Sequence, residues 1–378
     1  MRIIAIILVA TITLILMWGV WRQPASLTPD PDLHLQTVER AMAGEGPYLV
    51  GVQPWLGQGD YHSAAALHER LSGYLAEIRD EIDAAPGSII VFPEHVGTWL
   101  VAAGAPRSAF TAETTAAAMT ALVAANPLRF AAAWLGSHED DRMAAAVFRM
   151  RAAAMARDYQ AVFSALAADY GVTIAAGSIV LSEPRVENGV LIAGDGPLYN
   201  TAAVFHPDGS IDPQLVRKSH PIPSETPFTA AWPAERLPVF DTPSGRLAVL
   251  ICADSWHPDL YASARAGNAD IIAVPAFLQP ADVWNRPWGG YTTGWPGDVD
   301  RDDAGRLTEG EAWQQHALAG RLASGGAGSG MTAYLRGQLW DLGSDGTNIA
   351  VAGGSVFVSD GLDGAALTLL PLHRSSGG

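Results

Sequence analysis

Short runs of branched and apolar residues, each too brief for a helix and apolar on both faces, set the strongest limit on this chain. Ser88-Ile-Ile-Val-Phe92, Leu247-Ala-Val-Leu-Ile251 and Ile271-Ile-Ala-Val-Pro275 show no polar alternation. Such runs read as strands buried on both faces, which sit inside sheets covered by other layers. Between them lie helix-like stretches: Leu67, Leu71, Leu75, Ile78 and Ile82 at helical spacing, an alanine-rich 111–125, and a long segment from Arg142 to Tyr170. Residues 128–135 and 199–206 read as further strands, 35–42 as a short helix, and 278–308 as a long loop. Repeated strand–helix units joined by short turns imply an α/β fold with internal sheets and outer helices.

Bulk composition narrows the function. The chain has 378 residues, 49% hydrophobic and 16% charged, which is globular and not disordered. A formal net charge of -16 excludes a nucleic-acid partner, since phosphate binding needs a basic face. The single cysteine forbids an internal disulfide.

The first residues stand apart. Ile3 to Trp21 is apolar but for the hydroxyls of Thr11 and Thr13, and Arg2 and Arg22 bracket it. Its length approaches a bilayer's hydrocarbon thickness, Trp18 and Trp21 suit the interface, and no small-x-small cleavage site follows. The expectation is an uncleaved, single-pass transmembrane anchor over 1–22, reaching the membrane through residues 3–21. The catalytic domain is expected outside the cytoplasm. Residues 23–47 read as a polar, proline-bearing linker, 48–372 as the catalytic domain and 373–378 as a tail.

Three reactive groups fall where a strand gives way to a loop: Glu94 after Ile-Ile-Val-Phe-Pro, Lys218 in Val216-Arg217-Lys218-Ser219-His220-Pro221, and Cys252 after Val-Leu-Ile. Carboxyl ends of strands are where α/β sheets bind ligands. A thiol is a nucleophile only when deprotonated or beside a base. A buried carboxylate takes that proton and returns it to a leaving amine, and a lysine holds a developing oxyanion. Glu, Lys and Cys therefore suffice for acyl transfer through a thioester. Taken singly, each has a plainer reading as a solvated carboxylate, a surface lysine and a small buried hydrophobe.

These segments resemble the nitrilase superfamily, the carbon–nitrogen hydrolases, whose triad runs Glu–Lys–Cys in chain order. Val91-Phe92-Pro93-Glu94 is similar to the family's strand ending in Pro-Glu, and Arg217-Lys218-Ser219-His220-Pro221 to its lysine box. Ile251-Cys252-Ala253-Asp254 with Pro258-Asp259-Leu260, then Gly267-Asn-Ala-Asp270-Ile-Ile-Ala-Val-Pro275, is the strongest match. Gly353-Gly354-Ser355 resembles a late family strand, and Gln53 sits where the first family strand often carries glutamine. The resemblance implies a four-layer αββα sandwich and a homodimer or higher homo-oligomer. It implies Glu94 as general base, Lys218 as transition-state stabiliser and Cys252 as nucleophile. The backbone N–H of Ala253 would share the oxyanion, Glu225 would orient substrate or Lys218, and His220 and Trp256 would line or support the pocket. The implied reaction is hydrolysis of a small-molecule amide or nitrile, with no cofactor and no metal. Ala253, where tyrosine or tryptophan is common, and Ser255-Trp256-His257 depart from the family pattern and leave substrate class open.

Two other outcomes stay in view: an N-acyltransferase, in which an amine replaces water at the thioester, and a catalytically silent binding domain. Asp298, Asp300 and Asp302 with Glu309 imitate a calcium loop, but Asp303 stands where the turn needs glycine. Trp284, Trp288 and Trp295 fit either a substrate wall or ordinary loop packing.

Overall fold

The structure, a computed structural model, describes residues 2–292 and 294–372; the expected tail 373–378 lies outside them. Its frame is two six-stranded sheets. In the first, Leu35–Arg40, Ala365–Pro371, Tyr48–Gln53, Ile89–Val91, Thr173–Ala175 and Val204–Phe205 lie side by side in that order. In the second the order is Val239–Thr242, Gly245–Val249, Ile271–Ala276, Ser329–Tyr334, Ile349–Ala352 and Ser355–Val358. The apolar runs occupy the middle of each sheet in parallel register, Leu49 opposite Ile89 in one and Leu247 opposite Ile271 in the other.

Three apolar clusters define the layers. One joins the first sheet to the helices Ala64–Ala76 and Arg142–Tyr170, through Leu67, Leu71, Tyr159 and Phe163. A second fills the space between the sheets with Leu49, Val91, Val249, Ala273 and Met331. The third joins the second sheet to Pro258–Ala266 through Leu260, Tyr261 and Ala264. The expected four-layer αββα arrangement is present. The sheets approach so closely at Gly51 that a Cβ there would lie 2.7 Å from Met331 Sδ. Gln53 ties the layers as well: its Oε1 accepts from Asn348 N at 2.9 Å, and its Nε2 donates to Gly364 O at 2.9 Å.

Helix ends follow local chemistry. Asp141 accepts from Ala144 N to cap the long helix Arg142–Tyr170, and Gly171 ends it in the left-handed region at φ 61°. Pro258 opens Pro258–Ala266 at the first helical position.

Several expectations are corrected. Residues 128–135 belong to a helix, Pro127–Leu135, because alanines and an N-terminal proline outweigh the apolar content. Residues 35–40, expected in a helix within a linker, form an edge strand with alternating half-buried and exposed positions, parallel to Ala365–Pro371. Ser329–Tyr334 is a central strand parallel to Ile271–Ala276. The helix Arg2–Trp21 covers most of the expected anchor 1–22. Among the described residues no single helix is long and apolar enough to cross a membrane.

Candidate active site

Glu94, Lys218 and Cys252 come to one place from three elements. After Ile89–Val91, Phe92 extends the pairing by donating to Ala175 O at 3.0 Å, and Pro93 then turns the chain. Glu94 follows, 2% exposed, and His95 takes φ 60°. The turn is clamped by His95 N donating to Ser178 Oγ at 2.8 Å. Gly177 packs against it, at φ +64° and so near that a Cβ would meet the Pro93 carbonyl at 2.1 Å. Only glycine fits there.

Lys218 leaves the strand Val216–Arg217, whose partner is Leu198–Ala202. Its N–H donates to Asn200 O at 2.9 Å, and its side chain is 1% exposed. The ammonium donates to Glu94 Oε1 at 2.7 Å and to Glu225 Oε2 at 2.6 Å. Asn200, which sequence reasoning missed, donates through Nδ2 to Glu94 Oε1 at 2.9 Å and Glu225 Oε1 at 2.7 Å. Its signal was an asparagine amid a strand, a position that disfavours asparagine unless the amide has a partner.

Cys252 follows Gly245–Val249 and opens the 3₁₀ turn Cys252–Trp256. Its φ of 49° is unusual for a side chain with a Cβ, and such strain gathers at functional sites. Ser255 Oγ donates to Cys252 O at 2.7 Å, and Tyr261 Oη donates to Ser255 O at 2.7 Å, holding the turn. At the start of this turn Ala253 N–H has no preceding helical carbonyl to bond, and Ala253 lines the cavity.

The electrostatics follow from burial. Burial pushes the Cys252 thiol well above its usual range; Glu94 raises it further and Lys218 opposes. Cys252 is therefore held as a thiol, beside the Glu94 side chain. Burial pulls Lys218 down, but Glu225 and Glu94 overcome this and hold it well above the ordinary lysine range. Burial raises Glu225, yet Lys218 and His95 more than offset it and leave that carboxyl strongly acidic. Asp254, fully buried, is pushed up to about 7 by burial, against Lys218 and the amides of His220 and Ser219. Its Oδ1 accepts from Ser219 N at 3.0 Å and His220 N at 2.8 Å, fixing the backbone after Lys218 to the turn after Cys252.

Glu94, His95 and Glu225 each offer a ligand atom within 4.8 Å of the others, the kind of group that can hold a metal ion. Here both carboxylates are bonded to the Lys218 ammonium, which already supplies the positive charge.

These residues stand at the wall of a cavity of about 1110 Å³. Glu94, Glu225, Cys252, Ala253 and Trp256 line it; Lys218 lies behind the carboxylates, and His220 is outside the lining. His220 instead stacks on His257 at 3.7 Å between ring centroids and bonds Asp259 Oδ2 at 3.0 Å. Of the three loop tryptophans only Trp288 lines the cavity. The acidic loop is tied by ion pairs, Asp298 to Arg321 at 2.7 Å and Asp303 to His316 at 3.0 Å.

Residues 52–292 match the family described as carbon-nitrogen hydrolase. A probable hydrolase of Bacillus subtilis, YhcX, is 34% identical over 118 residues, 31% of this chain and 20% of that protein. A deaminated glutathione amidase of Yersinia enterocolitica is 50% identical over 44 residues, 12% of this chain and 15% of that protein. The chain thus matches about a fifth or less of these relatives' lengths. Among solved structures, a carbon-nitrogen hydrolase from Helicobacter pylori G27 aligns with a TM-score of 0.53 at 17% identity, over 87% of this chain and 90% of that one. Nit3 of Saccharomyces cerevisiae, of the nitrilase superfamily, aligns at 0.51 and 16% identity, over 86% and 90%. An amidase of that superfamily from Nesterenkonia AN1 aligns at 0.50 and 14%, also over 86% and 90%. At such identities the likeness is one of fold.

Proposed function

The chain belongs to the carbon–nitrogen hydrolase family, and on that premise we propose that it hydrolyses a non-peptide amide through a thioester on Cys252. The observation that carries this reading is the convergence of a buried carboxylate, a buried ammonium and a strained thiol on one cavity wall. Cys252 Sγ attacks the carbonyl carbon as Glu94 takes the thiol proton. The oxyanion is held by Ala253 N–H and the Lys218 charge. Glu94 returns the proton to the leaving amine, then activates water to cleave the thioester. A nitrile is the less favoured substrate, because its hydrolysis demands a second water at the same carbon.

Turnover of a panel of short amides by wild type and single variants tests the assignment. Cys252→Ala, Glu94→Gln and Lys218→Met each lower kcat by at least about 10³-fold, as expected for groups that act as a unit. Full activity in Cys252→Ala defeats it. Silent binding would be signalled by no amide turnover at all, and acyl transfer by consumption of an added amine in place of water.

Membrane attachment through the N-terminal helix is a separate proposal. It rests on the exposed side chains of Ile4, Leu8, Leu14 and Leu16, with Leu128 and Leu135 exposed on Pro127–Leu135. Trp18 Nε1 donates to Ala124 O at 3.0 Å and so sets the N-terminal helix against Thr115–Ala125, which borders the cavity. Cofractionation with lipid vesicles that is lost on deleting residues 2–22 supports it; unchanged cofractionation removes it.

A further inference from the structure

Beyond Cys252 the cavity runs among aromatic rings. Trp256 stacks on Trp288 with centroids 5.6 Å apart and planes at 21°, and meets Tyr291 and Trp313 edge-on at 5.6 and 4.9 Å. All four line the cavity, and so does Glu309, one helical turn before Trp313 in Glu309–His316. Among the described residues no Lys, Arg or His forms an ion pair with the Glu309 carboxylate. Burial pushes that carboxyl up to about 7, with Trp313 pulling it back. Glu309 and Cys252 line the same cavity.

Packing alone explains clustered indoles but not a carboxylate set among them without a counter-charge, since burying an unpaired charge costs free energy. Aromatic faces carry negative potential and attract cations, most strongly where water is excluded. An anionic ligand would meet Glu309 and a chain of net charge -16; a neutral one would leave the carboxylate unpaired. We propose that this end of the cavity is a subsite for a cationic group, an ammonium or quaternary ammonium, on the amide that Cys252 attacks. The proposal rests on the thiol-hydrolase reading above for the reaction, though not for the binding.

Binding is tested on full-length Cys252→Ala protein by tryptophan fluorescence at about pH 8, above the Glu309 midpoint, where the carboxylate is charged. The probes are choline and its neutral isostere 3,3-dimethylbutan-1-ol. Choline is expected to bind at least about 10-fold more tightly, as cation–π contact plus a counter-charge implies. Adding Glu309→Gln should remove that preference, and adding Trp288→Leu should reduce it. Equal affinity for the two probes, or a preference that survives Glu309→Gln, overturns the subsite. Should Glu309→Gln fail to fold, the probe comparison in the parent protein still decides.

Turnover separates the two ideas. Wild type is offered matched amides of 2-aminoethyl-trimethylammonium and of 3,3-dimethylbutylamine. Cys252-dependent cleavage without preference for the cationic amide sinks the subsite and spares the hydrolase. Tight choline binding with no cleavage of any amide does the reverse.

Discussion

Asn200 donates its side-chain amide to Glu94 Oε1 at 2.9 Å, on the same oxygen that accepts the Lys218 ammonium at 2.7 Å. One carboxylate oxygen of Glu94 is thus fixed by two donors, which orients the proposed base without Asn200 touching substrate. Asn200→Ala is expected to lower kcat by about 10–100-fold and change KM by about twofold or less, the pattern of lost positioning. Asn200→Asp adds a third carboxylate around one ammonium, and like charge favours the protonated form. Its acidic limb of kcat/KM should move to higher pH. A limb that stays in place in Asn200→Asp removes the positioning role.

The Lys218 ammonium is bonded to both Glu94 and Glu225, and His95 Nε2 lies 3.9 and 3.5 Å from the same two carboxyls. Replacing Lys218 with Met leaves two buried carboxylates facing each other, and breaking a buried pair from one side costs about 3–5 kcal/mol. Urea unfolding should register that loss. The pH dependence has a definite sign. The native carboxyl of Glu225 lies below its unfolded value of 4.5, so its contribution is full above that pH and is lost as pH falls below it. Glu225→Gln should therefore flatten the acid side of the stability curve.

Asp254 behaves in the opposite way. Its native pKa of about 7 lies above the unfolded value of 3.8. Between those values the folded state holds a proton that the unfolded state has released, so stability falls as pH rises, by about 1.4 kcal/mol per pH unit. Asp254→Asn should remove that slope over the same window. A slope unchanged in Asp254→Asn shows that the carboxyl titrates normally.

Burial and Glu94 hold the Cys252 proton in place. Alkylation by iodoacetamide should be slow at neutral pH and rise continuously through the alkaline range, with no low-pH plateau of the kind a thiolate ion pair gives. Lys218→Met, which removes the one charge lowering the thiol's pKa, should slow it further. A plateau below pH ~7 would mean a resting thiolate.

The central strands, and the strand ends that carry Glu94, Lys218 and Cys252, were legible because each is a local pattern: a branched apolar run, then a reactive residue at its end. Alternation between buried and exposed positions in Leu35–Arg40 was too brief and too polar to announce a strand, and tertiary pairing with Ala365–Pro371 decided it. Pro127–Leu135 misled in the other direction, since its exposed Leu128 and Leu135 look like core residues in a list. The places of Asn200, Gly177 and Glu309 at the cavity could not be read from spacing, which set Glu309 only in an imitation calcium loop. Their importance arises from neighbours distant in sequence: Glu94 for the first, Pro93 for the second and the aromatic cavity wall for the third.

Intact-protein mass spectrometry during amide turnover reaches the central claim most directly. The account predicts an added mass equal to the acyl group on wild type, carried on Cys252. The adduct should be absent in Cys252→Ala and should accumulate in Glu94→Gln, where water is no longer activated. Amide cleavage that continues in Cys252→Ala, with no acyl adduct on any variant, would contradict it.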